Sequence, residues 1–379
     1  MIYKDFGSTG IKASAVGFGG MRFDITKSDE ENSFLLDYAR DKGINFFDTA
    51  PMYCEDHSQD IFGLFNERNK AVRESYYMSS KLMPESVTTA AEAIEKVDNA
   101  LARLKTDYLD FFYVWCIRQP AEFEDAIRSD GLIEGLERCK EQGKIRHINV
   151  SSHLRGHRLK AVLRQYKFDG ILVGVNILNF PYRWSAVEAA YASGGGVVAM
   201  NPLAGGTIPK HADKFKFIAR DGESVTEAAM RFCVSCPEIT VALNGFTTTE
   251  HIDIACAVAD RAESFTAEER ESIKQQLDDN LEQMCTACGY CDKDCPKKIP
   301  ISSYMQFYNE KMLDDATPQA MAEKMKSEYQ WGALTDRHNE AKDCISCKRC
   351  NEVCTQHIDV VARLAEIAEW QVIMEQKEA

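Results

Sequence analysis

No stretch of the 379 residues approaches the ~20 consecutive apolar side chains that a helix needs to cross a bilayer, so no membrane span is expected. Basic residues are in deficit: 45 Lys and Arg face 59 Asp and Glu. The resulting formal charge of −14 argues against a nucleic-acid or anionic-membrane partner. The opening residues, MIYKDFGSTGIKAS, carry no apolar core of the kind found in a signal peptide. No Gly/Ser-rich linker interrupts the chain, so its domains are expected to pack together rather than swing freely. Cysteine, by contrast, is abundant. Fourteen of them would mean disulfides in a small secreted protein.

Eight of the fourteen fall into two matching runs. CTACGYCDKDCP, Cys285 to Pro296, recurs as CISCKRCNEVCT, Cys344 to Thr355, with threonine where the second run would have proline. Both read C-x2-C-x2-C-x3-C. In two-cluster ferredoxins the fourth cysteine of such a run ligates the other cluster. The spacing therefore assigns Cys285, Cys288, Cys291 and Cys354 to one [4Fe–4S] cluster, and Cys344, Cys347, Cys350 and Cys295 to a second. Two structural zinc sites would also use C-x2-C pairs, but they need neither the third step nor the crossed ligand. The other six (Cys54, Cys116, Cys139, Cys233, Cys236 and Cys256) are scattered. Free thiols beside oxygen-sensitive clusters suit a reducing cytoplasm.

With 45% hydrophobic residues the chain is long enough for one large core and a smaller domain. From residue 15 to 244, short apolar runs alternate with helical patterns. Candidate strands are Ala15–Phe18, Asn45–Asp48, Tyr76–Ser80, Leu109–Val114, His147–Val150, Gly170–Gly174, Val197–Met200 and Thr240–Leu243. Ser28 with Glu31, Thr89 with Glu92, Ser224 with Glu227 and Thr266 with Glu269 match the capping box that opens a helix. Ile94, Val97, Leu101 and Leu104 mark one apolar helical face, and Pro237 stops the helix that begins near Ser224. Eight strand–helix units predict an α/β fold, a (β/α)8 TIM barrel over residues 1–265, with its chemistry at the C-terminal ends of the strands. Residues 266–379 are expected to form a small helical dicluster domain, with Met305, Met312, Met321 and Met325 as core filler. A last amphipathic helix, Val360–Lys377, would bury Leu364, Ile367 and Val372.

The strand ends deliver a short set of reactive side chains. Strand two brings Asp48 and then Tyr53, strand three Lys81, strand four Trp115 and Cys116, and strand five Ser151 and Ser152. Strands six, seven and eight bring Asn176, Asn201 and Asn244. A phenol near pKa ~10 becomes a useful acid when an ammonium eases it toward neutrality and a carboxylate orients that ammonium. Tyr53, Lys81 and Asp48 supply those three groups from adjacent strands.

GINFFDTAPMY, SSKL, DYLDFFYVW, GKIRHINVSSH and MNPLAGG resemble the aldo-keto reductase superfamily along nearly the whole barrel. With the two cysteine runs, the chain resembles its iron–sulfur branch. The resemblance implies oxidoreductase activity, a nicotinamide nucleotide, and a catalytic tetrad of Asp, Tyr, Lys and His. Asp48, Tyr53 and Lys81 match three members. Trp115 stands where the family has histidine; it offers an N–H but no proton relay, and reads as a pocket wall. His57 and Cys116 are the nearby candidates to compensate. The resemblance also implies nucleotide contacts at Gly20 and Met21, at Ser151, Ser152 and Asn176, at Asn201, Pro202, Leu203 and Gly205, and at Asn244 and Thr247. Here the pattern departs again: Leu172 replaces a glutamine, Ile254 and Ala255 stand where Glu-Asn is usual, and His251 is the only basic residue after strand eight. A 2′-phosphate wants Arg or Lys. Thr247 and Thr248 remain as phosphate ligands, and Gly205 and Gly206 permit a backbone approach. NAD(P)H is the default cofactor, and a flavin is not excluded.

Hydride transfer moves two electrons together, whereas each cluster passes one. Two clusters therefore suggest a one-electron route from a ferredoxin or flavodoxin, with Lys297, Lys298, Lys348 and Arg349 as docking charges or simply solvated ones. The leading expectation is a cytoplasmic oxidoreductase that reduces a carbonyl or activated double bond of a small molecule. The alternative is a cluster-bearing electron-transfer subunit that keeps the barrel as a non-catalytic scaffold.

Overall fold

A computed structural model describes residues 1–376, apart from 155, 282, 286–288, 332, 333, 335–338 and 355. The chain divides into two compact units, Met1–Ala267 and Glu268–Ala379. Among the described residues no helix is long and apolar enough to cross a membrane.

The first unit opens with a hairpin, β1 (Tyr3–Asp5) and β2 (Lys12–Ser14). Eight parallel strands follow: β3 (Val16–Gly19), β4 (Phe46–Asp48), β5 (Tyr77–Leu82), β6 (Leu109–Ile117), β7 (Ile145–Ser152), β8 (Gly170–Gly174), β9 (Gly196–Met200) and β10 (Val241–Asn244). They close into a barrel in sequence order, with β10 completing the ring against β3. The predicted barrel is therefore present, each strand within a few residues of its expected place. The hairpin was not expected. It delivers Phe6, fully buried, into a cluster with Phe46, Phe111, Val198 and Val241. A Cβ on Gly170 would stand 2.7 Å from the Phe6 ring, and one on Gly196 would collide with it, so the ring can seat there only because both strands begin with glycine.

Helix starts follow the capping chemistry. The helices Asp29–Asp41 and Val225–Ser235 have complete capping boxes at Ser28/Glu31 and Ser224/Glu227. At Thr89 the box is half formed: Thr89 accepts from the Glu92 amide, but the Glu92 carboxylate takes the amide and hydroxyl of Thr88 instead. Val97, Leu101 and Leu104 are buried as their spacing implied.

The second unit is helical, built on Ile301–Asp314, Pro318–Trp331 and Val360–Gln376. Met305, Met321 and Met325 lie in its core, with Met312 packed against it. Val372 does not: it is 46% exposed, because the buried face of the last helix runs through Leu364, Ile367, Trp370, Gln371 and Met374. The unit repeats itself at a spacing of 59 residues, as from 285 to 344. Gly289 and Lys348 share a left-handed φ of 76° and 62°, and Lys298 and His357 one of 51° and 50°. Ile299 and Ile358 are both buried. The Ser302 amide donates to the Asp292 carboxylate just as the Val361 amide donates to the Asn351 side chain. At these positions the two halves share their backbone turns, and each presents its third cysteine, Cys291 or Cys350, buried on a short helix.

Candidate active site and metal centres

Asp48 ends β4 and Lys81 lies on the neighbouring β5, both nearly inaccessible to solvent. The Lys81 ammonium donates to Asp48 Oδ2 at 2.5 Å and to the Thr49 carbonyl at 3.0 Å. Ser79 Oγ donates to the other Asp48 oxygen at 2.6 Å. Lys81 Nζ sits 5.0 Å from the centroid of the Tyr53 ring and 5.8 Å from that of Tyr113. On its other side Tyr53 meets Trp115 edge to face, ring centroids 5.6 Å apart at 86°. The structure therefore brings together Asp48, Tyr53, Lys81 and Trp115, all four at the C-terminal end of the barrel.

The loop that carries Tyr53 is strained. Met52, Cys54, Glu55 and Asp56 all have φ between 53° and 71°, a region costing a non-glycine residue about 1–2 kcal/mol. Asp56 offsets that cost by accepting from the Met52 amide at 2.9 Å and from Arg103 Nη1 at 2.9 Å. Strain of this kind collects where a side chain must be aimed. Trp115 is aimed by a bulge: the β6–β7 register shifts between Val114 and Ile117, and Cys116 takes a φ of 64°.

The electrostatics differ from the expectation in one respect. Burial pulls the Lys81 ammonium down, and the Asp48 carboxylate opposes that pull. Burial pushes the Tyr53 phenol well above its ordinary value, with Asp48, Cys116 and Cys54 adding to the rise. Some Tyr53 surface stays accessible, but the packed atoms around the ring decide the direction. The protein's own groups thus keep this phenol protonated instead of easing it toward neutrality.

His57 does not stand in for the missing histidine. It is exposed and pairs with Asp29 at 3.1 Å at a helix start. Cys116 is buried, and burial pushes its thiol up to about 12, so it too stays protonated. A second histidine, His153, lies just beyond β7 with no spacing signal in the sequence to mark it. Burial, with Arg183 and Arg118 nearby, lowers it to about 4, so it is neutral at pH 7.

The residues expected to touch a nucleotide are spread around the same rim. Ser151, Ser152, Asn176 and Asn244 are buried, whereas Met21 and Asn201 are exposed. Gly20 packs where a Cβ would strike Ser58 and Phe62, and its carbonyl accepts from Ser58 Oγ at 2.8 Å. Asn176 is partly committed, its Nδ2 donating to the Asn201 carbonyl and its Oδ1 accepting from the amides of Leu178 and Asn179. The Asn244 Oδ1 is buried without a partner. Beyond Pro202 and Leu203, Gly205 and Gly206 have φ of 66° and 102° with open space where side chains would project. Thr247 Oγ1 lies 3.2 Å from His251 Nδ1, and Thr248 caps the helix Thr249–Arg261. A basic residue from another loop reaches the end of β10. Arg22, exposed on the loop after β3, lies against Gly245 and has no ion pair among the described residues. An orphaned buried oxygen, an open glycine turn, a helix N-terminus and an uncommitted cation fit a phosphorylated nucleotide.

In the second unit Cys295, Cys344, Cys347 and Cys350 line one pocket, walled by Ile299, Ile301, Val361 and Leu364. These are the four residues that the crossed pattern assigns to one cluster. Burial, then the Cys344 and Cys347 sulfurs, push the Cys350 thiol up to about 11; a bound positive core would deprotonate it. Among the described residues no three Cys, His, Asp or Glu side chains come close enough to share a single ion. Four thiols around an apolar cavity instead fit a body larger than an ion. At the other seat, Cys285 is held by a reciprocal pair of 2.8 Å hydrogen bonds with Asn309, and Cys354 Sγ accepts from the Ile358 amide at 3.4 Å. Cys291 is buried, and Cys288 lies outside the described residues. None of the described cysteines forms a disulfide.

Comparison with known proteins agrees with both halves. The aldo/keto reductase family model matches residues 15–278, and a 4Fe-4S dicluster domain matches residues 284–359. L-galactose dehydrogenase of Arabidopsis thaliana is 26% identical over 293 residues, spanning 68% of this chain and 88% of its own. The holo form of an aldo-keto reductase from Bacillus halodurans superposes with a TM-score of 0.61 at 22% identity, covering 73% of this chain and 96% of that one. A Klebsiella pneumoniae aldo-keto reductase in complex with NADPH gives 0.60 at 21%, with the same coverage. A family match over most of the length, on a closed parallel barrel, makes this oxidoreductase chain a member of the aldo/keto reductase family, with a 4Fe-4S dicluster domain following the barrel in sequence.

Proposed function

We propose that the protein reduces the carbonyl, or an activated double bond, of a small organic molecule at the C-terminal end of the barrel. The reading rests above all on the buried Asp48–Lys81 pair set beside the Tyr53 ring, with Trp115 across from it. A nicotinamide nucleotide, when bound, supplies a hydride, and each iron–sulfur cluster supplies electrons singly. Tyr53, protonated in this environment, donates a hydrogen bond to the substrate oxygen and gives up its proton as negative charge builds there. Lys81 then stands beside the new phenolate, and Asp48 keeps that ammonium charged despite its burial. Trp115 closes the pocket with an aromatic wall. Ser151, Ser152, Asn176 and Asn244 would hold the nicotinamide end of the nucleotide, and Arg22, Thr247 and Thr248 its phosphates. Exposed Lys297, Lys348 and Arg349 rim the thiol-lined cavity and offer an acidic carrier, such as a ferredoxin or flavodoxin, a docking surface.

Anaerobically purified protein should hold about eight iron atoms, four per cluster. It should also oxidise NADPH in the presence of a generic aldehyde. Eight irons with neither turnover nor nucleotide binding would instead favour the electron-transfer reading. Arg22→Ala should weaken NADPH about tenfold, roughly 1.4 kcal/mol, and leave NADH unchanged in a fluorescence titration. Unchanged NADPH affinity would remove Arg22 from the site.

A further inference from the structure

The 59-residue repeat of the second unit pairs a buried tyrosine with a buried arginine. Tyr304 on the helix Ile301–Asp314 and Arg363 on the helix Val360–Gln376 occupy equivalent places. Tyr304 is a fully buried phenol that accepts from Gln371 Nε2 at 3.4 Å. Arg363 is only 8% exposed, with its guanidinium carbon 4.6 Å from the Tyr308 ring centroid. Burial pulls the guanidinium below the usual arginine range, while Tyr308, the Cys285 and Cys354 sulfurs and the Glu366 carboxylate hold it up. Arginine nevertheless stays charged in proteins.

Among the described residues that charge has no ion pair of its own. Arg363 Nη1 is buried without a hydrogen-bond partner. Both oxygens of Glu366, the carboxylate one helical turn away, are engaged: Tyr308 donates to one at 2.9 Å and Lys311 to the other at 2.7 Å. A buried cation left unpaired is costly, so the described protein groups leave room for a further negative partner. The cluster seat beside it supplies one. Four thiolates outweigh the positive charge of an iron–sulfur core, so the loaded cluster is an anion, and a larger one after accepting an electron.

Building on the dicluster assignment, we infer that Arg363 makes the two clusters unequal. It holds the cluster on Cys285, Cys288, Cys291 and Cys354 at the higher potential, so that electrons arriving at the other cluster collect there. Lys297, Lys348 and Arg349 around the second seat do not balance it. They are exposed, and water and salt screen them, whereas a buried guanidinium acts through a low dielectric.

The test is a potentiometric titration of the anaerobic full-length protein, followed by electron paramagnetic resonance. The wild type should show two separate one-electron reductions. Arg363→Gln should shift the higher one at least tenfold toward the oxidised form, about 59 mV for one electron, and leave the lower in place. Arg363→Lys, which keeps a charge, should recover most of the shift. Two unshifted potentials, or an equal shift of both, would overturn the assignment. An independent check survives a failure of Arg363→Gln to assemble. Cys285→Ser should displace or remove the higher-potential signal and Cys344→Ser the lower one, and the reverse order or two coincident wild-type potentials would also overturn it. Wild-type protein that holds no iron would fail earlier, defeating the cluster reading itself and this inference with it.

Discussion

Tyr53→Phe should lower kcat and kcat/KM together by about 10^2–10^4-fold in anaerobic carbonyl reduction, the range for loss of a positioned acid. The variant removes one oxygen and leaves the ring against Lys81 and Trp115, so binding and fold should survive. Undiminished activity would take Tyr53 out of the mechanism. The pH profile carries further information. An acid works while protonated, and a phenol whose pKa is raised stays protonated until the pH climbs through the raised value. Burial and Asp48 both raise Tyr53. The rate should therefore stay level from about pH 6 to 9, whereas a phenol eased close to neutrality would lose rate above about pH 7.

Much of this architecture was legible in the sequence because it depends on local chemistry. The barrel strands announce themselves as apolar runs between capped helices, and the cysteine runs announce a 4Fe-4S dicluster domain in their spacing. What escaped depends on contacts between distant residues. The β1–β2 hairpin has only three residues per strand, too few for a periodic signal, and its reason for existing is the Phe6 ring held between Gly170 and Gly196. Glycine at the start of two adjacent strands was the available clue. The position of Arg22 is hidden for a similar reason. The stretch after β10 has only His251 as a basic residue, but closure of β10 against β3 lets the loop after β3 reach Gly245. Proximity of His57 to Tyr53 in sequence does not fix direction; its side chain pairs with Asp29. The direction of the Tyr53 shift was equally hidden, since it depends on how many atoms pack around the ring.

Lys81→Met should be the most damaging substitution in the barrel. Methionine nearly preserves volume, so the loss is electrostatic: a carboxylate with 2% exposure is left with Ser79 as its remaining side-chain donor. Breaking a buried pair in this way costs about 3–5 kcal/mol, and urea denaturation of the barrel should show it. The informative partner is the double variant Asp48→Leu with Lys81→Met. Replacing both charges by apolar groups removes the desolvation penalty along with the attraction, so stability should return to within about 1–2 kcal/mol of wild type. Activity should not return, because the phenolate formed at Tyr53 would have no cation beside it. A stable, inactive double variant would show that the pair is retained for proton transfer at Tyr53 and not to hold the barrel together. A stable double variant that still reduced carbonyls would move the chemistry away from these three residues altogether.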